Sequence, residues 1–414
     1  MFNKHNLKKI ALFALLAGSF AACKKDPADP DDHDHDDHGK EFKYVRVLVS
    51  DESSAKLTQI DPFAAAITSY DGKFPLANLY ATASGRYAAV LYGANNLVEV
   101  FDTGLQSHED HVDVANNPKW AAITASGIKP THFKSDGAES LIFNDGDGTL
   151  SVGNEADFNT AGARFTTVNA GLLPHHGAMA QFGNGTYAVT VAAAQGASPT
   201  RVKVINKTGA QVHASTLETG AIHGNATDGS NAVFGAFTNS ANTAGGALVV
   251  RQTGEQRMIP NPDGFGAFRL GTILYAKSAK KFIGYAATKG AYMIDLVNNR
   301  MTTIYSGTDA IQCKTDYAGK NLFVLSLDGK LRIYDLSSGA LKKEGQAIGA
   351  TPAADTYKPV LEATARYAYV AVPSAGEVHQ IDLENFSNVI KHKVSARPVR
   401  LAVLGFENSE SHDH

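Results

Sequence analysis

The chain has 414 residues, 43% of them hydrophobic and 9% aromatic, which excludes a fully disordered polymer and exceeds what one small core needs. The 38 basic residues stand against 41 acidic ones, a net charge of −3, so there is no broad cationic field for a phosphate backbone and nucleic acid is not an expected partner. Two cysteines, Cys23 and Cys313, cannot make a four-sulfur zinc site, whereas 15 histidines can supply nitrogen ligands.

The N-terminus carries Lys4, Lys8 and Lys9, then an apolar stretch from Ile10 to Ala22. At about 13 residues the stretch is shorter than the roughly 20 that span a bilayer, and it has the form of an export signal. Gly18, Ala21 and Ala22 lead into Cys23, a pattern resembling a bacterial lipoprotein signal, although Phe20 stands where leucine is usual. The expectation is a signal over residues 1–23 with lipidation at Cys23, and plain cleavage and secretion as the alternative. Both put the chain outside the cytoplasm, with the lipid at Cys23 as its one membrane attachment.

Residues 24–43 form a tether of Pro, Asp and His that cannot repay the entropy of folding. It includes His33, His35 and His38, alternating with aspartates, a flexible set suited to capturing a metal and releasing it. The alternative is a solvated acidic run.

From Tyr44 the pattern becomes short β-type runs separated by Gly, Asn and Asp, with no sustained helical period, so the fold class is all-β. A unit recurs roughly every 40 to 55 residues, within the range of propeller blades. It runs from Leu76 to Asp102, returns at Thr131-His132-Phe133, and begins again near His175, His223, Phe268, Gln312 and Lys358. A last inner strand, Pro398 to Val403, has nothing after it but a polar tail over 406–414, and its missing partners are Tyr44 to Val49 and Lys56 to Asp61. The prediction is a β-propeller over 44–405 of eight four-stranded blades, the last closed by both chain ends, with both tails leaving from the face opposite the inner-strand starts. Seven blades follow if the copy near Phe268 is misread, and two ordinary β-domains are the alternative.

Equivalent positions of a propeller converge on the central channel. His132, the pair His175-His176 and His223 start inner strands in three consecutive repeats, and strand alternation lets one of His175 and His176 reach the channel. The long connection before His132 contains His108, Glu109, Asp110 and His111, and the repeat pattern is taken to bring it to the same mouth. Three imidazoles and a carboxylate suit tetrahedral zinc, and copper(II) or nickel fit such a set as well. For each histidine alone, a hydrogen-bonded strand end is the simpler assignment.

Leu173-Pro174-His175-His176-Gly177, Ile222-His223-Gly224, the His108-Glu109-Asp110-His111 connection and the His/Asp-rich N-terminus together resemble the AztD-type periplasmic zinc metallochaperones. The similarity runs from Tyr44 to Val403. It implies zinc as the bound metal, with His111, His176 and His223 foremost among the ligands and Asp110, His132 and His175 next. It further implies a monomeric, non-enzymatic propeller in the periplasm that passes zinc to the solute-binding protein of a zinc ABC importer. A lipid at Cys23 departs from that soluble family, and Cys313 at an inner-strand start is either a soft ligand or a core thiol. Two other functions use the same surface: a zinc-dependent hydrolase, for which no Gly-x-Ser-x-Gly motif is present, and a scaffold for protein binding.

Overall fold

The computed structural model describes residues 43–108 and 112–406. The described residues form eight four-stranded antiparallel sheets and one two-stranded hairpin, an eight-bladed β-propeller. Blades are numbered here by their innermost strands: Asn78–Ala81 (blade 1), Pro130–Asp136 (blade 2), Met179–Gln181 (blade 3), Ile222–Thr227 (blade 4), Thr272–Ala276 (blade 5), Ala310–Thr315 (blade 6), Val360–Ala363 (blade 7) and Pro398–Phe406 (blade 8). The weak repeat near Phe268 is a complete blade whose inner strand starts at Thr272.

Sequence and burial explain each other along a blade. The second strands, such as Tyr87–Tyr92 and Tyr44–Asp51, are buried at nearly every position and read as continuous apolar runs, because both of their faces pack on neighbouring blades. The outermost strand Ala66–Asp71 is exposed along most of its length and alternates little. The core is a ring of eight apolar clusters, each shared by two consecutive blades. In one of them Phe182, Val202 and Val204 of blade 3 meet Ile222, Phe234 and Leu248 of blade 4. Burying each such side chain contributes about 1.5–3 kcal/mol, so every interface depends on both of its neighbours.

The ring closes where the chain ends meet. Pro398–Phe406 is the innermost strand of blade 8 and pairs with Tyr44–Asp51 in an unbroken register from Tyr44↔Phe406 to Ser50↔Arg400, with one irregularity before Asp51↔Pro398. The Arg397 N–H donates to Asp51 Oδ2 at 2.6 Å, and Arg46 pairs with Asp61 at 3.0 Å. Gly405 has φ +95°, and a Cβ there would lie 1.8 Å from the Tyr44 carbonyl oxygen. Only glycine fits that close approach.

Strand direction sets which residues share a rim. Innermost and third strands run the same way in each blade, so the connection from third to fourth strand lies on the rim opposite the inner-strand starts. Tyr44 and Phe406 share that second rim, where the Gly405 N–H donates to the Gly85 carbonyl at 2.7 Å.

Cys313 is packed inside an interblade cluster with Ile283, Leu322 and Val324. Burial pushes its thiol pKa up to about 12, in keeping with its place in an apolar core.

Candidate metal centre

Three blades each deliver one imidazole to the mouth of the channel. His132 stands near the start of the blade 2 inner strand, just after an irregularity between Pro130 and His132, with Lys129 in the left-handed region at φ 54°. His223 lies in the blade 4 inner strand, immediately before an irregularity spanning Gly224. Gly224 has φ +70°, and a Cβ there would approach the Gly271 carbonyl oxygen to 2.4 Å, so this bend also demands glycine. His176 lies in the irregular segment that leads into the blade 3 strand Met179–Gln181.

His176 is the centre of the group. Its Nε2 is 3.4 Å from His132 Nε2 and 3.4 Å from His223 Nε2. Both contacts are longer than a good N–H···N hydrogen bond. They match the spacing of two nitrogens on one tetrahedral zinc, about 3.3–3.4 Å for Zn–N distances of 2.0–2.1 Å. The third edge is wider: ring centroids of His132 and His223 are 6.2 Å apart, against 4.7 Å and 5.4 Å for the two pairs that include His176. Among the described residues no three or more His, Cys, Asp and Glu side chains are already arranged as a complete metal site. The open His132–His223 edge is where this trio falls short of one.

The outer nitrogens determine the protonation of the inner ones. Asp145 Oδ2 lies 2.7 Å from His176 Nδ1. Burial would raise the Asp145 pKa, but hydrogen bonds from His176, the Thr131 hydroxyl and the Gly177 N–H outweigh it and hold the group below the usual carboxylate range. An ionised carboxylate only accepts, so His176 Nδ1 carries a hydrogen; in the neutral ring Nε2 then presents a lone pair. The Gly271 carbonyl, 2.9 Å from His223 Nδ1, imposes the same tautomer there. Burial, then the neighbouring imidazoles, lower the His132 pKa to about 4, with Asp145 opposing, so this ring is neutral at pH 7. Solvent reaches His132 through the channel mouth, but protein walls most of its surroundings, and that enclosure governs its charge. Burial also lowers the pKa of His223, with the Gly271 carbonyl opposing and the Arg269 charge adding to the fall.

The other expected ligands lie elsewhere. His175 is buried and turned away from the channel, Nδ1 against the Leu173 carbonyl at 2.6 Å and Nε2 against Thr190 Oγ1 at 3.0 Å, so both ring nitrogens are used and it is a structural residue. The expectation for the His108 connection is corrected by the topology. The outermost strand of blade 1 is Lys119–Ala125, after that connection, and the hairpin Leu105–Ser107/Val112–Val114 therefore joins the third and fourth strands on the opposite rim. His108 Nε2 there lies 3.4 Å from Asp113 Oδ2. Asp110 and His111 lie outside the described residues, as do His33, His35, His38 and Cys23.

Asp145 was not among the sequence-derived candidates. It belongs to the turn Asn144-Asp145-Gly146-Asp147-Gly148 after the second strand of blade 2, one of many Asp/Gly turns in the chain. Its distinguishing signal is position, at the same rim as the inner-strand starts and one blade before His176.

No family model matches the sequence, and no curated protein matches it. Solved structures match the fold. The crystal structure of AztD from Citrobacter koseri superposes with a TM-score of 0.78 at 20% identity, covering 89% of this chain and 100% of that one. The apo form of the same protein gives 0.78 and 20%, covering 88% and 98%. Dihydro-heme d1 dehydrogenase NirN in complex with DHE is more distant, with a TM-score of 0.60 at 13% identity, covering 87% of this chain and 75% of that one. At these identities the likeness is one of fold: the chain is an eight-bladed propeller built like AztD.

Proposed function

We propose that the protein is an extracytoplasmic zinc metallochaperone, which holds zinc as cargo at His132, His176 and His223 and passes it to the solute-binding protein of a zinc ABC importer. One observation carries this reading. His176 and His223 are each held by an acceptor at Nδ1, and their Nε2 atoms, which carry lone pairs in the neutral rings, face one another at 3.4 Å. Two lone pairs so placed repel unless a cation lies between them. A divalent ion satisfies them, and a modest turn of the His132 ring completes a three-nitrogen set.

Three neutral ligands leave a tetrahedral ion one position for an incoming ligand, and an open position permits handover by exchange in place of escape into water. The AztD-like fold and the motif resemblance support the importer protein as recipient and the periplasm as compartment. The signal-like segment ending at Cys23 supports export with a lipid anchor. His33, His35 and His38 serve in this scheme as accessory capture ligands, and His108 belongs to a separate connection on the other rim.

The test is a zinc titration of the metal-free protein against a chromophoric chelator, with His176→Ala and His223→Ala beside the wild type. One core zinc lost in both variants is expected, and undiminished binding in either rejects the site. Parallel copper(II) and nickel titrations rank the metals. Removing residues 24–40 is expected to slow zinc transfer while the core site still fills; an equal rate removes the tether from the mechanism. Zinc-dependent turnover of an ester or lactone would mark a hydrolase in place of a carrier.

A further inference from the structure

Further along the channel lies a cavity of about 460 Å³, walled by the inner strands of blades 1, 2, 6, 7 and 8. Three cationic side chains line it, Lys134, Lys314 and Arg400, with one carboxylate, Glu362. Lys314 Nζ is 2.6 Å from Glu362 Oε1, so those two charges cancel. The other two cations meet only neutral acceptors among the described residues. Lys134 Nζ donates to the Asn225 carbonyl at 2.8 Å. Arg400 donates through Nε to Asn78 Oδ1 and through Nη1 to the Val399 carbonyl, each at 2.8 Å. Lys134 is half-buried.

The cavity therefore carries two uncompensated positive charges between low-dielectric walls, which concentrate the field and favour a negatively charged occupant. Each cation keeps N–H groups beyond those already bonded: an ammonium has three and a guanidinium five. Asn78, Tyr80 and Ser135 add neutral polar groups, and Leu79, Phe133 and Val360 supply apolar wall. The volume lies within the roughly 300–1,000 Å³ of small-molecule sites and leaves room for more than a bare ion. We infer that the channel is a binding site for a small organic dianion, held between Lys134 and Arg400, distinct from the histidine mouth.

The test uses the metal-free full-length protein at pH 7.0, titrated calorimetrically with succinate and with inorganic phosphate, sodium chloride holding the ionic strength constant. Saturable binding of succinate is expected, weakened about tenfold or more in each of Lys134→Met and Arg400→Met, as for loss of a charge-assisted hydrogen bond, and binding of phosphate without succinate overturns the organic occupant. Lys134→Gln, which keeps a polar donor, tests whether the loss follows the charge, and thermal melting confirms that each variant is folded. No saturable binding of either anion, or undiminished binding in a folded Lys134 or Arg400 variant, overturns the inference. His176→Ala is expected to keep its anion affinity, so failure of the zinc reading and failure of this one are separable.

Discussion

His176 and His223 confront each other through their Nε2 atoms, each ring anchored by an acceptor at Nδ1. Their Nδ1 atoms are committed to Asp145 and to the Gly271 carbonyl, and the Nε2 atoms meet at 3.4 Å. The arrangement holds basicity ready for a cation, and most of its energetic consequences can be measured one residue at a time.

Asp145→Asn replaces an acceptor-only group by one that can also donate, and so releases the His176 tautomer. Zinc affinity is expected to fall about 10- to 100-fold, the usual effect of losing a carboxylate behind a ligating histidine. A competition titration with a chelator of known affinity measures it. An unchanged affinity would sink the tautomer argument.

His175→Ala separates the two adjacent histidines. The substitution removes a buried ring hydrogen-bonded to Leu173 and Thr190 and packed on Phe143. It is expected to cost about 2–4 kcal/mol of unfolding free energy, read from urea denaturation, with zinc stoichiometry unchanged. The opposite pattern, intact stability and lost zinc, would exchange the roles assigned to His175 and His176.

The metal-free protein is expected to lose stability on mild acidification. His132 has a folded pKa of about 4 against an ordinary 6.5. Below about pH 6.5 the unfolded chain takes up a proton that the folded chain refuses until about pH 4, so this contribution is full above 6.5 and is lost as pH falls through that window. Burial lowers His223, His175 and His392 in the same sense. Urea midpoints at pH 7.5 and pH 5.0 test it, and His132→Gln is expected to show a smaller difference than the wild type.

Gly405→Ala tests ring closure. The left-handed backbone at φ +95° and the 1.8 Å approach to the Tyr44 carbonyl leave no room for a methyl group. Destabilisation of at least about 2 kcal/mol is expected, measured by thermal or urea unfolding. A wild-type midpoint would show that the pairing of the chain ends contributes little.

The propeller was legible because its blades repeat the same physics: a buried second strand reads as an unbroken apolar run, and glycine or aspartate marks each turn. The orphan inner strand at Pro398 likewise pointed to the N-terminal strands, and the structure pairs it with Tyr44–Asp51. Blade 1 was less transparent. Its fourth strand, Lys119–Ala125, is separated from the third by an inserted hairpin and alternates weakly, so the repeat pattern alone does not show on which rim the insertion falls. Within the site, equivalent positions in three repeats bring His132, His176 and His223 together. Repeat position could not find Asp145, since an aspartate in a turn is ordinary and only the neighbouring blade makes it a partner for His176. The backbone preceding Met179 is irregular, so the separation of His175 from His176 depends on local geometry and not on strand alternation.

The eight-stave ring is fastened at Tyr44 and Phe406, on the side away from the imidazoles. The point where the two described ends meet is thus kept off the rim of the nitrogens, and a change there, such as Gly405→Ala, can loosen the ring without touching a ligand.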